Sequence, residues 1–212
     1  MMKELIILVA DKNTQFTLEG VLTRHQAFRM RKLTREDIDI YVHPLRDPGV
    51  YKEAAAFLRP YQNHYRYALV FLDREGSGQE NKTADDIAAE LKTELERTGW
   101  TNRAEVIVLD PELEIWAWVN SSHLATHTGW TDLRSLRDFV RDHGFWQDSV
   151  SKPDRPKEAF EALLREKRIQ RSSAIYKKIA LDASFRDCVD PAFAKFTRIL
   201  AEWFHPGDDN EQ

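Results

Sequence analysis

The chain has 212 residues, 42% of them hydrophobic, and a formal net charge of -4. That length allows one domain of ordinary size with an appendage, and the acidic balance argues against a generally basic nucleic-acid binder. No apolar run is long enough to span a bilayer, and the first residues lack the small-residue cleavage site of a signal peptide, so no membrane association is expected.

Cys188 is the only cysteine. It excludes an intramolecular disulfide framework, fits a reducing cytoplasm and reads as a small core filler. The charge is uneven: -5 over residues 1–150, +4 over 151–204 and -3 over 205–212. The basic third could face the phosphates of a nucleic acid while the first part holds a metal.

Leu5 to Ala10 is a continuous apolar run, read as a strand buried on both faces. It stops at Asp11-Lys12-Asn13-Thr14, where Asn13 or Thr14 can cap a helix marked by Phe16, Leu18, Val21 and Leu22 and running to near Met30. Asp11 is either part of that cap or a functional carboxylate at a strand end. Ile38, Ile40 and Val42 alternate with polar neighbours, forming a second strand that Pro44 ends. His43 at its end reads as a hydrogen-bonding loop residue. Residues 50–58 form a helix.

Residues 66–72 form the third strand, which runs into Asp73-Arg74-Glu75-Gly76. Two carboxylates one residue apart repel each other, and a dication or a shared proton relieves that repulsion. Gly76 to Thr83 is similar to a phosphate-cradling loop ending in Lys82-Thr83, but Asn81 stands where glycine is required. The other reading is a Gly/Ser loop closed by a Thr83–Asp86 capping box. A helix with Ile87, Leu91 and Leu95 on one face ends at Gly99. Residues 105–109 are the fourth strand. Asp110-Pro111 then reads as a helix start with Glu112 and Glu114 in its first turn.

His123 and His127 lie four apart and could chelate a metal on a helix. No glutamate follows His123 as in zinc proteases, and Gly129 suggests a loop. Helices follow over 133–143, after the polar hinge 151–156, around Ile175 and Ile179, and from Asp190-Pro191 to Trp203. The acidic end 206–212 is expected to be disordered. The expected architecture is α/β: a parallel sheet of about four strands flanked by helices over 1–120, with a helical C-terminal extension over 121–205 packed on it.

An acidic residue after the first strand, an Asp-x-acidic pair after the third and Pro111-Glu112-Leu113-Glu114-Ile115-Trp116 after the fourth resemble the Toprim catalytic domain. The match is to RloB-like and OLD-nuclease-related proteins, the small stand-alone Toprim-like proteins of bacterial defence gene clusters. Two departures keep the charge: Asp11-Lys12 where the family has Glu-Gly, and Asp73-x-Glu75 where it has Asp-x-Asp.

The resemblance implies Mg²⁺- or Mn²⁺-dependent phosphoryl chemistry on nucleic acid, in anti-phage defence. Asp73 and Glu75 would ligate the metal, Glu114 would complete the shell, and Asp11 would act as general acid/base. Lys12, Lys82, Lys152 and Lys157 are candidates for contacting phosphate. Two alternatives stay open. One is a non-catalytic subunit that binds a protein partner in a defence complex through its Trp-bearing C-terminal part. The other is a nucleotide-binding protein using residues 76–83.

Overall fold

A computed structural model describes residues 2–119, 122–147, 149–185 and 188–207. The expected acidic tail, from Asp208 onward, lies outside the described residues.

Four strands, β1 (Lys3–Val9), β2 (Ile38–Val42), β3 (Tyr65–Asp73) and β4 (Ala104–Leu109), form one parallel sheet in the order β2-β1-β3-β4. This is the parallel α/β architecture that the apolar runs predict, and it is consistent with a Rossmann- or Toprim-like fold. Alternation along each strand divides the core in two. Leu5, Ile7, Val9, Leu69, Phe71, Ile107 and Leu109 pack on one face, with helices α1 (Lys12–Leu22), α7 (Ser173–Asp182) and α8 (Pro191–Trp203). Ile6, Leu8, Val70, Leu72, Val106 and Val108 pack on the other, with α2 (Arg46–Leu58) and α3 (Ala84–Leu95). Burial on both faces is why these strands carry almost no polar residue.

The C-terminal helices therefore complete the first face of the sheet. Phe193, Phe196, Ile199 and Leu200 of α8 share one core with Phe71 and Ile107. Phe71 meets Phe196 edge-on at 5.2 Å, and Trp116 stacks on Phe196 at 5.9 Å. The Trp116 indole donates to Asp190 (2.9 Å), which also caps α8 through the Phe193 N–H. The expected boundary near residue 120 thus falls inside a shared core.

Three local expectations are corrected. Asp11 is the cap of α1, accepting from the Thr14 N–H at 2.8 Å, and α1 ends at Leu22 instead of near Met30. Asp110-Pro111 starts no helix. The peptide between them is cis, Asp110 pairs with Arg74 (2.8 Å), and only a short 3₁₀ turn over Leu113–Trp116 follows. His123 and His127 lie on a helix, α4 (Ser122–His127), with Gly129 beyond its end. Two further helices, α5 (Leu133–Asp142) and α6 (Pro156–Glu166), lead from α4 toward α7.

Helices α1 and α7 cross closely at Gly20. A Cβ there would lie 2.8 Å from Ala180 Cβ and 2.9 Å from the Lys177 carbonyl oxygen. The carbonyl is backbone and cannot rotate aside. Gly20→Ala is therefore expected to destabilise the protein by about 1–3 kcal/mol, despite the better helix propensity of alanine. A thermal melt checks it; an unchanged or higher midpoint would mean the crossing is looser than described.

Candidate acidic site at the sheet switch point

The chain runs from β1 to β2 on one side, then returns past β1 to β3 on the other. The switch lies between β1 and β3, where open parallel sheets bind ligands beyond the strand carboxyl ends. Asp11 follows β1 and Asp73 closes β3, so both stand at this crevice.

Asp73 is held from two sides. Its Oδ1 accepts from the Leu113 N–H at 3.0 Å, and its own N–H donates to Asp47 Oδ1 at 2.8 Å. Burial raises its pKa well above the usual carboxylate range, and the charges of Asp47, Glu114, Asp11 and Glu112 add to that rise. Burial also raises Asp47, with Asp11 adding to it. Glu112 is raised by burial and by Glu114. Five carboxylates from distant parts of the chain thus act on one another at one rim of the sheet.

They are not equivalent. Glu114 is 3% exposed and answered by two donors, Arg171 (2.6 Å) and Tyr176 (2.5 Å). Glu112, 4% exposed, takes the Lys157 ammonium at 3.1 Å and the Lys157 N–H at 3.3 Å. No comparable ion pair reaches Asp11, Asp47 or Asp73 among the described residues. Asp11 Oδ1 is engaged by the first turn of α1, through the Thr14 N–H and hydroxyl.

Glu75 falls outside this arrangement. It is exposed, its N–H donates to the Pro111 carbonyl (3.0 Å), and its charge is felt by Glu112. The Asp-x-Glu pair therefore splits, with Asp73 turned inward and Glu75 outward: β3 ends at Asp73 and the chain bends at Arg74, so the shared face that alternation gives residues two apart is lost.

The cations also sort themselves. Lys12 and Lys157 line a groove of about 520 Å³ with Asp11, Asn13, His43, Arg46 and Arg171. Lys152 donates instead to the Ile115 carbonyl at 2.8 Å, bracing the segment that carries Glu114. Lys82 is bound by Glu90 (2.7 Å) and Tyr51 (3.0 Å). Its loop is already filled: Glu80 Oε1 accepts the N–H groups of Gly76 (2.9 Å) and Gly78 (3.1 Å). Those amides would have to cradle a phosphate, and the loop's own carboxylate occupies them. Thr83 and Asp86 form the capping box. Lys82 and Lys152 thus both hold partners within the protein.

His43 is structural, as expected. Its Nδ1 accepts from the Leu45 N–H (3.2 Å), and Nε2 faces Glu53 at 3.5 Å. The sequence reading missed Arg46, Asp47 and Arg171. Arg46 adopts φ 53° at the groove, a left-handed conformation uncommon for a side-chain-bearing residue. Such outliers cluster at functional sites. Arg46-Asp47 follows the carboxyl end of β2, and the strand-end rule applied to β1 and β3 would have found the pair. No local signal marks Arg171, which reaches Glu114 from 57 residues away.

Three hard-oxygen carboxylates without an ion-pair contact among the described residues suit Mg²⁺ or Mn²⁺ in kind. Their oxygens are not drawn together, however. Among the described residues, the trio of His, Cys, Asp or Glu side chains whose ligand atoms all lie within 4.8 Å of one another is His123, His127 and Asp182, away from this rim. No helix is long and apolar enough to cross a membrane among the described residues. No protein-family model, curated protein or solved structure significantly matches the chain. The fold and the rim define the class: a parallel α/β protein with an acidic crevice at its switch point, walled by C-terminal helices.

Proposed function

We propose that this crevice binds a hard divalent cation and acts on a phosphate of nucleic acid, as a metal-dependent nuclease or related phosphoryl-transfer protein. The observation that carries the reading is that Asp11, Asp47 and Asp73 lie at the same rim of the sheet without an ion-pair partner among the described residues, beside a groove lined by Lys12 and Arg46. Asp73, Asp47 and Asp11 would hold the Mg²⁺ or Mn²⁺. A bound ion of that kind stabilises charge on a phosphate as a Lewis acid.

Around it, this chain's own groups have defined tasks. Lys12 and Arg46 orient phosphate oxygens. Asp11 is fixed through Oδ1 by α1, which leaves Oδ2 as the atom to face the ion. Lys157 and Arg171 hold Glu112 and Glu114 in place. The resemblance to Toprim-like proteins supports a setting in anti-phage defence and a cytoplasmic location.

The test is nicking of supercoiled plasmid and cleavage of single-stranded RNA by purified protein in Mn²⁺ and in chelator. Manganese-dependent cutting is expected, lost in Asp73→Ala and retained in Lys82→Ala. Cutting by Asp73→Ala at the wild-type rate would sink the assignment.

A second reading, a non-catalytic member of a defence complex, is favoured by the pairing of Glu112 and Glu114 with C-terminal cations and by the outward Glu75. Of the tryptophans in its C-terminal part, Trp146 is buried, Trp203 stacks on Tyr67 at 4.4 Å and Trp130 is partly exposed. Much of the basic excess is engaged as well: Arg155 by Glu158, Lys177 by Glu19, Lys195 by Glu105 and Arg198 by Glu202. On this reading the plasmid and the RNA stay intact in Mn²⁺, whichever variant is used.

A further inference from the structure

His123 and His127 lie one turn apart on α4, so both side chains project from the same face of the helix. Their rings lie side by side, with centroids 6.3 Å apart and planes tilted by 22°. Asp182, the last residue of α7, comes up against them, and its Oδ2 is 2.8 Å from His127 Nε2. One ligand atom from each of the three lies within 4.8 Å of the other two. In a tetrahedral zinc site with bonds of about 2.0–2.1 Å, neighbouring ligand atoms are about 3.3 Å apart. His123 and Asp182 are exposed, and theirs are the side chains placed to close that gap.

A carboxylate at a helix C-terminus faces the negative end of the dipole and is favoured by a cation beside it. Arg24 acts on Asp182 electrostatically, but its guanidinium is hydrogen-bonded to the carbonyls of Ala180 and Ala183, and the side-chain contact Asp182 makes is to His127.

We propose that His123, His127 and Asp182 form a transition-metal site of the zinc class, with water in a fourth position, that ties α4 to the C-terminal end of α7. Two imidazoles and a carboxylate suit zinc, nickel or cobalt and disfavour magnesium. The site is separate from the acidic rim and does not depend on its assignment. It has a route to it all the same, since α7 also carries Tyr176, which donates to Glu114.

The test uses untagged, chelator-stripped full chain titrated with Zn²⁺ against a chromophoric zinc indicator, with thermal melts alongside. One equivalent of zinc is expected to bind, with a higher melting midpoint. Millimolar Mg²⁺ should leave it in place. His127→Ala and Asp182→Asn should each weaken zinc binding on the order of tenfold or more, the magnitude typical of disturbing a metal's immediate environment. Asp73→Asn should leave it unchanged. Absence of a zinc-dependent signal, wild-type affinity in His127→Ala, or loss in Asp73→Asn equal to that in Asp182→Asn would each overturn the proposal. Both histidine-site variants alter groups that are not fully buried, so circular dichroism should show the fold intact.

Discussion

Asparagine in place of Asp73 is expected to make the metal-free protein more stable and less able to bind a divalent cation. The isosteric amide keeps the acceptor for the Leu113 N–H and removes a charge that burial, Asp47, Glu114, Asp11 and Glu112 all oppose. Removing an opposed buried charge stabilises by roughly 1–2 kcal/mol, or a midpoint higher by about 2–6 °C at this chain length. The pH dependence follows from the raised carboxyl. The penalty is absent below the unfolded value near 3.8, grows as pH rises toward the folded value, and is full above it. The gain of Asp73→Asn over wild type should therefore be largest at neutral pH and close as the melt is repeated toward pH 4. Mn²⁺ affinity, read by electron paramagnetic resonance or calorimetry, should fall on the order of tenfold or more in the variant, because a neutral amide is a poorer ligand for a hard cation. A lower melting midpoint at neutral pH would mean that Asp73 is compensated by something other than a metal, and the crevice would lose its rationale.

The second large effect is at Arg171. Glu114 is buried, and Arg171 is its only cationic partner among the described residues; Arg171 also holds Glu161 at 2.5 Å. Burial and the charge on Glu114 push the Tyr176 phenol up, so it stays protonated and keeps donating. It cannot replace a positive charge. Arg171→Ala leaves a buried carboxylate with one neutral donor, and breaking such a pair from one side costs about 3–5 kcal/mol. Chemical denaturation should show it as a clear loss of midpoint with little change in slope. Glu114→Gln in the same chain should recover much of the loss, since the uncompensated charge is then gone. Equal destabilisation of the single and double variants would place the effect in lost packing around the guanidinium instead.

Much of the scaffold was legible in the sequence. Leu5–Ala10 and Ala68–Leu72 are apolar without interruption because both faces of each strand are covered, and no other arrangement buries such a run so economically. Thr83 and Asp86 announced their capping box by spacing alone. Asp110-Pro111 misled, because a cap followed by proline is also the sequence of a cis turn. The site was only half legible. Asp11 and Asp73 were found because a carboxylate directly after a buried strand must sit at the sheet's edge. Glu75 was assigned with Asp73 on spacing, and spacing does not say that the chain turns between them. Asp47 was missed although it follows the carboxyl end of β2, Lys157 was named for a phosphate and not for Glu112, and Arg171 carries no local mark.

The sequence by itself determined a parallel α/β sheet and three of the carboxylates at its rim, Asp11 and Asp73 through hydrophobic periodicity and Glu114 through the Pro111–Trp116 segment. Only the tertiary structure decided which acids are neutralised and which are not. That choice depends on α6 and α7 folding back over the sheet to bring Lys157 and Arg171 within about 3 Å of Glu112 and Glu114. Charge pairing across such separations along the chain is a matter of distance in space, and distance in space is what the fold supplies.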